Sequence, residues 1–343
     1  MTVHAPAPPG IGILGTGSYL PENIVTNDTV GQRAGVSAQW IENKTGILQR
    51  RYAARHEAAS DLAAEAATSA LADAGVRAED LAWIVVATST PDHPQPATAA
   101  FVQHRLGAHG AAAFDVNAVC AGFVTALHTA ARLLAGGGGG SRRYALVVGT
   151  EVYSRIIDPA DRRTAPLFGD GAGAVVIGPV GEGRGLIGTA MRTDGQLHGL
   201  IGVHAGGSRQ PATEKTLARG EHWFGMQGRA VREFVERELP AAVAGTLRHF
   251  SVAPGQVDHF VPHQANGEML RSVAGRLGLT CAHIHLPVDR HGNTGAASVP
   301  LALDHAARQP RPPGGALRDG QLVLLAGFGG GMTLGTMLLR WGR

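Results

Sequence analysis

The chain has 343 residues, 44% of them hydrophobic and 5% aromatic, with 49 glycines and a formal net charge of +3. That length can bury a large core and suggests two domains or one double one, and the hydrophobic share is that of a folded globular protein rather than a disordered chain. The charge is too small and dispersed for a nucleic-acid surface, two cysteines are too few for a disulfide framework, and no run of about 18 apolar residues offers a membrane span.

The opening MTVHAPAPPG lacks a basic segment followed by an apolar one, so no secretory leader is expected and the cytoplasm is the expected location. GILGTGSYL (residues 12–20) superficially suggests a dinucleotide loop, but Tyr19, Leu20 and Pro21 break the helix that would receive the pyrophosphate, and a tight turn after a first strand is expected instead. SDLAAEAATSALADAG reads as a helix capped by Ser60–Asp61 and closed at Gly75, and LAWIVVATST (81–90) as the buried strand after it. AAFDVNAV is extended and apolar. A helix then begins near Cys120, with Val124, Leu127, Ala131 and Leu134 on one face, and ends in the loop Gly136 to Gly140, before a strand YALVVGT (144–150). Helices alternating with buried strands indicate α/β layering.

The pattern then returns. VDHFVPHQ (257–264) matches LAWIVVAT, GAASVPLALDHA (295–306) matches CAGFVTALHTAA (120–131), and LVLLAGF (322–328) matches YALVVGT, with displacements that agree within three residues. Such agreement indicates two similar α/β halves, 1–180 and 181–343, expected to pack pseudo-symmetrically with a site at their seam. CAHIHLPVDRH places Cys281, His283 and His285 alternately on one face, a spacing outside the common zinc patterns, and a half-buried strand is expected there.

Cys120 stands near a helix N-terminus, where free backbone N–H groups and the helix dipole favour a thiolate, and small Ala121 and Gly122 leave room for a substrate carbonyl. A packed cysteine is the bland alternative. His263 follows a buried strand's C-terminal end, where α/β proteins keep their chemistry, and Asn293 lies on a glycine-flanked turn within a few residues of the position equivalent to Cys120. Packing about a pseudo-twofold axis brings Cys120, His263 and Asn293 together.

At these residues the chain resembles β-ketoacyl-acyl-carrier-protein synthase III, a condensing enzyme of the thiolase superfamily. The resemblance is carried by DVNAVCAGF, LFGDGAGAVV, VPHQAN, GNTGAASVP and GFGGGMTLG, and extends from GTGSYLPENIVTN and WIENKTGI to the C-terminus. It implies a thiolase-like five-layer αβαβα fold, a homodimer, and acyl-coenzyme A as substrate with no metal or redox cofactor. It implies Cys120 as the acyl-accepting nucleophile with His263 and Asn293 as partners, Gly330 as an oxyanion-hole glycine and Phe328 as the aromatic gate of malonyl decarboxylation. Trp40, Lys44, Arg155 and Asn266 match positions that hold coenzyme A.

Three positions depart from the pattern. Gln95 stands where the family often has a phenylalanine that lines the neighbouring subunit's acyl pocket, so a wider, more polar pocket is expected. Glu268 replaces an arginine that docks the acidic carrier protein, with Arg271 and Arg276 placed to compensate; Lys44 replaces an arginine and loses its bidentate geometry. The departures favour a specialised, secondary-metabolism relative. Decarboxylative condensation of an acyl-coenzyme A starter with malonyl-carrier protein is the expected reaction, because enolate stabilisation needs the retained Asn293. The alternative is acyl transfer from Cys120 to a hydroxyl or amine with His263 as general base; a non-catalytic subunit is disfavoured by the intact Cys120.

Overall fold

The computed structural model describes residues 2–137, 143–308 and 315–343. The first half runs β1 (Val3–Pro6), β2 (Ile11–Tyr19), β3 (Asn23–Thr26), α1 (Asn27–Ala34), α2 (Ala38–Thr45), β4 (Gln49–Tyr52), α3 (Ala59–Ala74), β5 (Leu81–Ala87), α4 (Thr98–Arg105), β6 (Ala112–Val116), α5 (Gly122–Ala135), β7 (Tyr144–Glu151) and β8 (Gly171–Pro179). The second runs β9 (Gly185–Thr193), β10 (Ile201–Val203), α6 (Glu214–Ala218), β11 (Phe224–Met226), α7 (Gly228–His249), β12 (His259–Pro262), α8 (Gly267–Ala274), β13 (His283–Ile284), α9 (Val288–His291), α10 (Ser298–Arg308), β14 (Leu322–Gly329) and β15 (Thr333–Arg340).

Two sheets carry the structure. One has the strand order β2-β8-β7-β5-β6 and the other β1-β9-β15-β14-β12-β13. The orders correspond strand for strand: β7 and β14 each pair with a parallel neighbour on one side, β5 or β12, and an antiparallel one on the other, β8 or β15. Apart from β1, which pairs with β9, every strand of the second sheet lies in residues 185–340.

Period-two alternation along the strands builds the layers. Val85 and Ala87 of β5 face α5 and α10, which lie between the sheets and also meet Val261, Val323 and Leu325 of the second sheet. Ile84 and Val86 face the opposite way, against α3 and α4. The outer face of the second sheet, with Leu322, Leu324 and Leu338, is covered by α7 and α8. This is the five-layer αβαβα arrangement. Strands covered on both faces are apolar throughout, which is why LAWIVVA shows no polar side.

Two local expectations are corrected. GILGTGSY is not a turn after a strand but part of the nine-residue strand β2. Its glycines serve packing: a Cβ on Gly15 or Gly17 would lie 2.4 or 2.3 Å from the backbone of α3, so that alanine-rich helix rests directly on the strand. Helix α3 starts at Ala59, one residue before the expected cap, because Asp61 accepts from the Ala58 N–H (2.7 Å) while Ser60 is engaged by Asp92. Its stop at Gly75 is as expected, in left-handed conformation. Helix α5 ends at Ala135, and residues 138–140 of the loop expected after it lie outside the described residues. His283 begins the two-residue strand β13, while His285 is buried against His259, its Nε2 3.0 Å from His259 Nδ1.

Candidate active site

Cys120 lies on a sharp turn between β6 and α5. The Val119 N–H donates to Asn117 Oδ1 (3.2 Å), and Val119 takes φ 48°, a left-handed conformation that a β-branched residue adopts only under constraint. Residues 119–121 form a single 3-10 turn that leads into α5. Gly329, the last residue of β14, presses against it: a Cβ there would stand 2.8 Å from Cys120 N. The neighbouring Phe328 meets the His263 ring edge to face at 5.0 Å.

His263 follows β12, and its own N–H donates to Ala326 O of β14 (2.7 Å). Its Nδ1 lies 2.6 Å from Ser298 Oγ at the start of α10, and that hydroxyl already accepts from the Gln264 N–H (3.3 Å). A hydroxyl so engaged is free to donate to Nδ1, which leaves the imidazole proton on the other nitrogen. Burial pushes the His263 pKa down to about 3, so the ring is a neutral donor.

Asn293 is pinned by the first half of the chain. Its N–H donates to Leu167 O (2.8 Å) and its carbonyl accepts from the Gly169 N–H (3.0 Å). The preceding Gly292 has φ 66° and would place a Cβ 2.8 Å from Leu167 O, so only glycine fits. The side-chain Oδ1 accepts from the Gly295 N–H (2.9 Å), which turns the two N–H groups of Nδ2 into the free donors of this side chain. The turns that follow β6 and precede α10, 119–121 and 295–297, touch one another, the Asn293 side chain bonds the Gly295 N–H, and the His263 ring hydrogen-bonds with the Gly295 backbone, so Cys120, His263 and Asn293 gather around one turn at the seam between the sheets.

The expectation of a resting thiolate is not met. Burial raises the Cys120 thiol pKa, and the nearby Glu151 adds to the effect; a hydrogen bond with Tyr153 and the residue's own N–H pull weakly the other way. Cys120 is 7% exposed, so desolvation outweighs the helix end.

From Asn293 a groove of about 360 Å³ opens to the surface. Trp40, Leu167, Met226 and Met269 give it apolar walls, and Lys44, Arg162, Arg163 and Arg232 give it a cationic rim. Asn266 also lines it, capping α8 by accepting from the Met269 N–H (3.0 Å) and donating to Lys44 O (3.1 Å). An apolar slot with positive charge at its mouth and amide donors at its floor suits a long thioester with a phosphorylated end.

The structure brings Trp40, Lys44, Asn266 and Asn293 to one groove, and moves the arginine assignment. Arg155 is not among the groove's described lining residues; its guanidinium is occupied by the carbonyls of Ala54 (2.7 Å), Arg55 and Glu57. Arg162 and Arg163, seven and eight residues on, stand at the rim instead. The turn 153–155 after β7 points Arg155 back across α3's approach, a bend that sequence spacing does not report. Gln95 is exposed on the loop between β5 and α4. Glu268 is exposed at the first turn of α8 and ion-paired with Arg271 (2.7 Å), and Arg276 is exposed beyond that helix. Sequence reading missed Ser298, Glu151 and Tyr153. The last two sit at and just past the C-terminal end of the central strand β7, the signal by which they could have been found.

Two family descriptions match the chain: 3-oxoacyl-(acyl-carrier-protein) synthase III over residues 114–195, and its C-terminal region over residues 247–341. Acetoacetyl CoA synthase NphT7 of Streptomyces sp. strain CL190 is 54% identical over 331 residues, 96% of this chain and 98% of that protein. Beta-ketoacyl-(acyl-carrier-protein) synthase III of Symbiobacterium thermophilum is 43% identical over 97% of this chain and 98% of that protein. Among solved structures, the priming β-ketosynthase of the R1128 polyketide biosynthetic pathway superposes with a TM-score of 0.87 at 32% identity, covering 98% of each chain. The synthase III of Pseudomonas aeruginosa gives 0.86 at 39% identity, covering 97% of this chain and 99% of that one. Identity sustained over almost the whole chain, together with a cysteine turn and a histidine–asparagine pair at the seam of two matching sheets, makes this chain a member of the β-ketoacyl-acyl-carrier-protein synthase III family, a transferase of the thiolase fold.

Proposed function

We propose that the chain joins an acyl-coenzyme A starter to a malonyl thioester by decarboxylative Claisen condensation through an acyl-enzyme on Cys120. The observation that carries this reading is the groove whose floor is the Asn293 amide, with neutral His263 at the same seam. Cys120 sulfur attacks the starter thioester, and coenzyme A leaves. The N–H groups of Cys120 and Gly330 form the oxyanion hole, the second brought alongside by the contact between Gly329 and Cys120. Malonyl thioester then enters along Trp40 and Met226, its phosphate end meeting Lys44, Arg162 and Arg163.

Asn293 Nδ2 and the His263 N–H donate to the malonyl thioester carbonyl, and carbon dioxide leaves as the enolate forms. A charged histidine is not needed: a neutral donor in a dry site stabilises the growing charge without having to be deprotonated. The Phe328 ring, against His263, offers the departing carboxylate an apolar wall. Enolate carbon attacks the Cys120 acyl carbonyl, and the β-ketoacyl thioester departs. These steps ask for no metal or redox cofactor. We further infer a cytoplasmic homodimer, in which a second copy covers the exposed Gln95 loop and Gln95 enters the partner's acyl pocket.

One observation favours malonyl-coenzyme A over malonyl-carrier protein as extender. Glu268, paired with Arg271, neutralises a cation at the groove's edge where an acidic carrier would dock. The name of the Streptomyces relative, an acetoacetyl CoA synthase, points the same way. Carbon dioxide release from malonyl-coenzyme A and from malonyl-carrier protein, each with acetyl-coenzyme A present, tests both readings. Release that Asn293→Ala abolishes while Cys120 still loads supports condensation. Loading without release from either extender would leave only transfer to a hydroxyl or amine.

A further inference from the structure

Acyl transfer requires the Cys120 proton to go somewhere, and the resting thiol makes the question concrete. His263 is bound to Ser298 and belongs to the enolate step. Apart from the residues that line the groove, a file of hydroxyls reaches the sulfur. Tyr153 is 1% exposed and hydrogen-bonds with the Cys120 thiol. Its hydroxyl stands 3.1 Å from Ser89 Oγ, and Ser89 Oγ donates to Glu151 Oε1 (2.9 Å).

Glu151 is fully buried at the end of β7. It accepts from the Ser89 N–H (3.1 Å), the Thr90 hydroxyl (2.6 Å) and the Ala296 N–H (3.4 Å) as well. The titratable side chains that face it are Cys120 and Tyr153, and no cation pairs with it among the described residues. A buried carboxyl with hydroxyl and amide donors but no counter-charge is poised between its two protonation states, and its pKa is pushed up to about 7 by burial. Because the Ser89 proton points at Glu151, the Tyr153 proton points at Ser89, which leaves the Tyr153 oxygen free to accept from the thiol. Every proton in the file is aligned toward the carboxylate.

We propose that Glu151 accepts the Cys120 proton during acyl transfer, through Tyr153 and Ser89. As sulfur attacks the acyl carbonyl, the thiol proton passes to Tyr153, the Tyr153 proton to Ser89 and the Ser89 proton to Glu151; each hydroxyl gains one proton and gives one. The new bond is Sγ–C, the broken bond is C–S of coenzyme A, and the leaving thiolate takes its proton from solvent. When the condensation intermediate collapses, Cys120 leaves as thiolate and recovers its proton from Glu151 along the same path. The assignment rests on Cys120 as the acyl acceptor, and its test avoids acyl donors so that the two can fail separately.

The test is the pH dependence of Cys120 alkylation by iodoacetamide, resolved from exposed Cys281 by peptide mass spectrometry. With Glu151 as acceptor, the rate rises to a break near pH 7 and then stays flat, because above it the thiolate with protonated Glu151 is a fixed fraction of the pair. Glu151→Gln removes the break, and the rate climbs about tenfold per pH unit through pH 9, as for a lone buried thiol. Tyr153→Phe keeps the break and lowers the plateau by about tenfold or more, and it decides the matter should Glu151→Gln fail to fold. A break near pH 7 surviving in Glu151→Gln, or a Tyr153→Phe plateau within about twofold of wild type, overturns the assignment. Failure of Cys120 to take an acyl group would count against the proposed function alone.

Discussion

Gly329→Ala isolates how finely the nucleophile must be placed. The residue ends β14, has no left-handed φ, and pairs with Thr333, so alanine is acceptable to the backbone and the penalty is purely steric. Its Cβ would stand 2.8 Å from Cys120 N, 2.9 Å from Cys120 Cβ and 3.3 Å from Cys120 Cα, against the 3.4 Å at which ordinary contact begins. The atoms must therefore part by about 0.6 Å, the difference between 3.4 and 2.8 Å. Neither side yields freely. Strand β14 is held on both edges by β12 and β15, and the facing atoms are backbone of a turn already strained at Val119. Overpacking of this kind costs about 1–3 kcal/mol, a few degrees of melting temperature. The catalytic effect is larger, because an oxyanion donor works at about 2.7–3.1 Å and a shift of this size carries the Cys120 N–H out of range. Removal of one such donor lowers the rate by about 10²–10³. Single-turnover loading of Cys120 from acetyl-coenzyme A, followed by intact mass, should slow by about a hundredfold in a variant that is still folded by circular dichroism. Loading within about fivefold of wild type would refute the claim that this contact positions the nucleophile.

Further outcomes follow from the electrostatics and the helices. Glu151 ionises only with difficulty in the folded protein: burial lifts its pKa from the ordinary 4.5 to about 7, so its destabilising effect is absent below the lower value and complete above the upper one. Glu151→Gln should thus gain about 3 kcal/mol on wild type between pH 5 and pH 8 in urea unfolding, and parallel stability curves would contradict the burial argument. Glu268→Arg both adds a cation and releases Arg271 from its ion pair, so an acidic carrier protein should bind about tenfold tighter at low salt and by a smaller factor at high salt; unchanged affinity in calorimetry would show that carriers do not dock there. Gly245 lies inside α7 with open space around its Cα, and Gly245→Ala should raise stability by about 1 kcal/mol in the same urea assay without changing carbon dioxide release.

The parts of the protein that obey a period were legible in the sequence. Apolar runs gave β5, β7, β12 and β14, and their repetition gave the strand-for-strand correspondence of the two sheets. The three seam residues were legible because each lies at the end of a strand or on a glycine-flanked turn. What stayed hidden depends on how loops fold back. Gly15 and Gly17 look like a turn until α3 is laid across them, and Arg155 looks like a ligand residue until its guanidinium is seen bridging the carbonyls of residues 54, 55 and 57. The file from Tyr153 through Ser89 to Glu151 joins residues 62 and 64 apart in the chain, a separation that no local pattern encodes.

These hidden features share a physical cause. A left-handed valine and a carboxyl buried without a cation are each unfavourable in isolation, and each survives only where surrounding structure over-determines it. The seam supplies that constraint. Val119 is fixed between Asn117 and Gly330, Glu151 between the Ser89–Thr90 loop and the N–H of Ala296, and His263 between Ala326 and Ser298. For Glu151 and His263 the contacts join the two halves of the chain or two neighbouring layers of the second. The duplicated architecture thus contributes more than symmetry: helices α5 and α10 pack both sheets into one shared core, and Cys120, His263, Asn293 and Glu151 lie where the two halves meet along it.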